Sequence, residues 1–145
     1  MLFRSPSEVE LIKKAKDGVK AAFKRDIAPF YVTFEIKLMD SEEGIASKEA
    51  LLKLNQGMEY ALKNRFDRAC ELWDEGRILS PDTPSLLYNL GICAEVRGEL
   101  TTALDLLRKA DRALNRPDDR ITAGIGRVSE ALKEQQKLSE QLKRE

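Results

Sequence analysis

The side chains that most often perform chemistry are scarce in this sequence, which has two cysteines and no histidine. Without an imidazole, the commonest general base and the commonest metal ligand are both missing. Cys70 and Cys93 do not form a Cys-x-x-Cys pair, so neither a zinc site nor a dithiol redox site is indicated. Each sits inside an apolar helical pattern and reads as a small core residue. An oxidising compartment would allow a bridge between them without requiring one. Gly124-Ile125-Gly126 has no phosphate-loop lysine and no preceding strand, so it does not read as a nucleotide loop. Asp40, Glu42 and Glu43 lie close to Gly44, but their spacing fails the calcium-loop pattern. The acid pairs Glu42-Glu43 and Asp118-Asp119 suit helix caps and solvated turns. No catalytic residue, metal or cofactor is assigned, and the sequence reads as a non-enzyme.

Composition points the same way. A chain of 145 residues, 42% hydrophobic and 34% charged, suits one domain of amphipathic helices. Basic and acidic residues balance at 25 each, so no overall field favours nucleic acid. A local basic run carries Lys13, Lys14, Lys16, Lys20, Lys24 and Arg25 against Asp17 alone. It reads first as a solvated face, with a phosphate- or lipid-binding face as the alternative. No apolar run is long enough to cross a membrane, and Met1 to Pro6 lacks a signal-peptide pattern. A soluble, cytoplasmic chain is expected.

Periodicity supplies the elements that must position any site. Ser7 and Glu10 fit a capping box, and Val9, Ile12, Ala15, Val19, Ala22 and Phe23 fall on a helical stripe. These predict an amphipathic helix from Ser7 to about Ile27, ended by Pro29. Phe30, Val32, Phe34, Ile36 and Leu38 then alternate with polar residues, the one strand pattern recognised, running to Met39. Such a strand offers an edge for pairing with a twin or with an upstream sheet, as in a homodimer.

From Ser47 onward the pattern is helical: Lys48 to Lys63, Phe66 to Leu79, Pro84 to Arg97, Leu100 to Leu114, and a last helix from Asp119. Asn64 and Gly98 occupy the turns that want a left-handed residue. Thr83 can cap the third helix, with Pro84 at its first position. Ile121, Ile125, Val128 and Leu132 make the inner stripe of the last helix, whose polar tail overhangs the body or frays. The chain thus divides into an N-terminal helix and strand (1–46), a repeat region (47–117) and a capping helix with tail (118–145).

Gly57 and Gly91 stand 34 residues apart, and their surroundings agree in phase: Ala69 with Ala103, Trp73 with Leu107. With Tyr60, Pro81, Leu90, Ala94 and Ala110, these residues resemble the tetratricopeptide repeat family over about Ala50 to Pro117. The resemblance implies an all-α array of helical hairpins, here two repeats plus a capping helix. It also implies a protein-interaction module whose groove is lined by the first helix of each hairpin. Carried onto this sequence, that groove holds Leu51, Leu54, Met58 and Leu62, then Tyr88, Ile92, Glu95 and Val96. The face is apolar, and it lacks the Lys, Arg and Asn with which peptide-binding arrays clamp carboxylates. An apolar helix or segment is the expected occupant: the chain's own N-terminal helix, a partner's helix, or a second subunit. Ala28-Pro29-Phe30-Tyr31 followed by these repeats also resembles certain bacterial envelope lipoproteins. That would make the chain a C-terminal portion, periplasmic or attached to the outer membrane.

Overall fold

A computed structural model describes residues 9–14, 18–27 and 30–144, with side-chain surroundings from Ile36 onward. An antiparallel sheet comes first, built from β1 (Val9–Lys14), β2 (Gly18–Ile27) and β3 (Phe30–Lys37) in that order. Five helices follow: α1 (Lys48–Leu62), α2 (Phe66–Leu79), α3 (Pro84–Val96), α4 (Leu100–Leu114) and α5 (Asp119–Arg144). The body is an all-α array of hairpins, α1 with α2 and α3 with α4, closed by α5 along α4.

The N-terminal segment corrects the sequence reading. In place of an amphipathic helix, β1 and β2 pair from Val9↔Phe23 to Lys14↔Gly18, and β2 pairs with β3 from Lys20↔Lys37 to Ile27↔Phe30. Val19, Ala21 and Phe23 alternate with Lys20 and Lys24, so the stretch fits period two as well as the helical period. Pairing of β2 on both sides, with β1 and with β3, goes with the pleated pattern. β3 is therefore not a lone strand, because β2 pairs with it in the same chain. The proposed cap Ser7, the stripe residue Ala15 and the terminator Pro29 lie outside the described residues.

The repeat geometry follows from small residues meeting large ones. A Cβ on Gly57 would overlap the indole of Trp73, whose Nε1 donates to the Leu54 carbonyl at 3.1 Å. At the matching place in the second hairpin, a Cβ on Gly91 would lie 2.9 Å from Leu107 Cδ2. Both hairpins turn alike. Asn64 (φ 60°) and Gly98 (φ 78°) adopt the left-handed conformation. Arg65 N–H bonds the Tyr60 carbonyl and Glu99 N–H bonds that of Ala94, the cross-turn bond of a Schellman motif. Ala69, Ala94, Ala103 and Ala110 are fully buried at the helix contacts, and Leu90 is 5% exposed. Tyr60 is half-buried with the Arg65 guanidinium over its ring, and Pro81 is exposed in the turn after α2.

Two caps differ in detail. Ser47 caps α1 by accepting from the Ala50 N–H. Thr83 precedes α3 without capping it, since its hydroxyl is directed to the Gly44 and Ser80 carbonyls. Cys70 of α2 and Cys93 of α3 form a disulfide with their Cα atoms 6.1 Å apart, which ties one hairpin to the next.

Candidate functional site

Every residue of α3 is buried, because α2, α4 and α5 pack around it and an extended stretch of chain covers what they leave. That stretch continues β3 beyond Lys37. Ile36, Leu38 and Met39 are 2%, 4% and 1% exposed, and they join one core with Leu54, Met58, Tyr88, Ile92 and Val96. Leu54, Met58, Tyr88, Ile92 and Val96, named from the sequence as a groove face, are thus covered by the chain itself.

The filling is ordered by hydrogen bonds from α3 to main-chain atoms. The Tyr88 phenol donates to the Lys37 carbonyl at 2.7 Å. Asn89 Oδ1 accepts from the Met39 N–H at 2.9 Å, and its Nδ2 donates to the Met39 carbonyl at 2.8 Å. The Ser85 hydroxyl donates to the Ser41 carbonyl at 2.8 Å. Lys37 and Met39 meet Tyr88 and Asn89, whereas Ser41 and Gly44 meet Ser85 and Thr83, so the segment runs antiparallel to α3. Beyond Ser41 the chain stays tied. Thr83 donates to the Gly44 carbonyl, and Ser80 Oγ accepts from the Ala46 N–H at 2.8 Å. Gly44 itself needs a positive φ of 77° and lies close to Pro84.

Asn89 is a polar contact that the sequence reading left out of this face. The residue is fully buried, and its carboxamide treats Met39 as a neighbouring strand would, one donor and one acceptor matched to one peptide unit. A polar amide in the apolar run Leu86–Val96 is the signal that could have found it. It lies four residues from Ser85 and three from Ile92, on the groove side of the helix.

The other predicted groove residues divide clearly. Leu51 and Leu62 of α1 are partly buried against the same core. Glu95 faces α5, where its carboxylate takes two hydrogen bonds from Arg127, Nε and Nη2, each 3.0 Å. Their side chains are 5% and 14% exposed. Burial pulls the Arg127 pKa down, but the Glu95 hydrogen bond and charge outweigh it and hold the guanidinium above its usual value. Burial likewise drives the Tyr88 phenol well above its ordinary range, keeping it a donor. Of the predicted strand edge, Phe30, Val32 and Phe34 face Ile27, Arg25 and Phe23 in the β2 register. Ile36 also lies in that register, and Leu38 follows it into the groove.

No buried side-chain nitrogen or oxygen among the described residues lacks a partner. Among the same residues no cluster of three metal-ligating side chains occurs, and no helix is long and apolar enough to cross a membrane. Set against known proteins, the chain matches no family model, no curated protein and no solved structure.

Proposed function

We propose that this chain is a non-catalytic protein-interaction or assembly module of the tetratricopeptide type, whose groove takes an extended apolar segment by its main chain. The resident is the chain's own Ile36–Ser41, in place of the N-terminal helix expected from the sequence. The observation that carries this reading is the paired Asn89 bond to Met39. Such a bond reads a peptide unit and no particular side chain, so apolar pockets beside it supply the selectivity. The polar groups of the groove are spent on this grip, and on the Glu95–Arg127 pair, in a way that supports binding over catalysis.

A synthetic peptide copying residues 34–42 tests the proposal. A tethered resident has a high effective concentration, so the wild-type chain should bind the free peptide weakly. In the full chain carrying Leu38→Ser and Met39→Gly, the resident is weakened and the peptide should bind saturably. Adding Asn89→Ala to that background should abolish binding. No binding to the weakened chain, with its helices intact by circular dichroism, would contradict the reading.

A self-associating structural subunit is the second reading, joined through the Phe30–Met39 stretch. Its support is that β3, last in the sheet order, pairs on one edge only among the described residues. Membership of a larger envelope lipoprotein rests on the sequence resemblance alone.

A further inference from the structure

The helix α5 has 26 residues and its neighbour α4 has 15, so α5 outruns α4 by about 16 Å at 1.5 Å per residue. Its residues follow one spacing throughout. Ile121, Gly124, Val128, Ala131, Gln135, Leu138 and Leu142 step by three and four in alternation, the repeat that keeps a seam facing a helical neighbour. On the body this seam is used: Ile121 and Val128 are fully buried, and a Cβ on Gly124 would touch Leu107 of α4. Past the body the seam continues with no packing partner among the described residues. Residues 133–144 are all exposed, and Leu138 and Leu142 are 57% and 64% exposed.

We infer that this overhang is a self-association surface, and that its occupant is the same stretch of a second copy, packed antiparallel about a twofold axis. The argument is continuity with reciprocity. The exposed seam prolongs one that already packs a helix, so a helix is the shape it fits. The overhang itself is a helix with the matching stripe, so each copy supplies what the other lacks. Antiparallel pairing sets Leu138 against Leu142 of the partner and brings Ser139 and Gln141 near the axis. Both are uncharged, so no like charges are forced together there. Opposed helix dipoles add to the preference. The shared apolar area is small, which makes this a weak, concentration-dependent dimer. The inference is independent of the groove reading.

Sedimentation equilibrium on the full chain tests it. The wild type should pass from monomer to dimer as concentration rises. The Leu138→Lys, Leu142→Lys double variant should remain monomeric with an unchanged melting curve, since neither side chain joins the core. Under mild oxidation Ser139→Cys should cross-link to its twin, and Gln135→Cys should not. A wild type that stays monomeric at high concentration would overturn the proposal, as would a dimer that survives both lysines. Cross-linking through Gln135→Cys would overturn the antiparallel arrangement.

Discussion

The carboxamide of Asn89 and the peptide unit of Met39 exchange two hydrogen bonds, 2.9 and 2.8 Å long, across 50 residues of sequence. Both residues are buried, Asn89 fully and Met39 to 1% exposure. The bonds therefore form away from water, where losing them is costly.

Asn89→Ala should destabilise the chain by about 3 kcal/mol, because it strands a buried N–H and a buried carbonyl on Met39. Chemical denaturation of the two proteins gives the difference. Ser85→Ala leaves one carbonyl, at the exposed Ser41, and should cost less.

The glycines should divide by what surrounds them. Gly57→Ala drives a methyl into the Trp73 indole and should cost about 2 kcal/mol or more. Gly126 has nothing within 4 Å of a built Cβ and lies in α5. Gly126→Ala should therefore stabilise by about 0.5–1 kcal/mol through helix propensity. Thermal melts of both variants test the contrast in sign.

The Cys70–Cys93 disulfide closes a loop with a sequence separation of 23 residues. Replacing both cysteines with alanine should lower stability by about 3 kcal/mol, chiefly by freeing the unfolded chain. A reductant should shift the wild-type denaturation midpoint in the same direction and leave the variant unmoved.

Alkali should loosen the groove. Burial raises the Tyr88 pKa above its ordinary 10.0, so the fold favours the neutral phenol, and that contribution is fully present below pH 10.0. It is lost as pH rises from there through the higher folded value, when the donor to Lys37 disappears. Tyr88→Phe should be less stable near neutrality, and its stability should fall less steeply above pH 10.0. Equal slopes for the two proteins would count against this role.

The helical body was legible because its signals are local. Gly57 and Gly91 in phase, Asn64 and Gly98 at the turns, and Pro84 at a helix start each follow from a residue's own geometry. The first two strands were not legible as strands, since Val19, Ala22 and Phe23 satisfy a helical stripe while Val19, Ala21 and Phe23 satisfy a pleat. Which pattern prevails depends on β2 finding partners on both sides. The apolar stripe of Leu54, Met58, Tyr88 and Ile92 was readable, but the segment that covers it was not. Met39 meets Asn89 only through tertiary folding, and a main-chain contact leaves no mark on the sequence of the segment being held. The disulfide was likewise open, since spacing alone does not bring Cys70 to Cys93.

Hydrogen exchange at the Met39 amide, followed in the full chain and in Asn89→Ala, tests the self-filled groove most directly. The account predicts protection in the wild type approaching that of α3 amides such as Ile92, and a large loss confined to the segment in the variant. A Met39 amide that exchanges in the wild type at the rate of an unstructured peptide would contradict it.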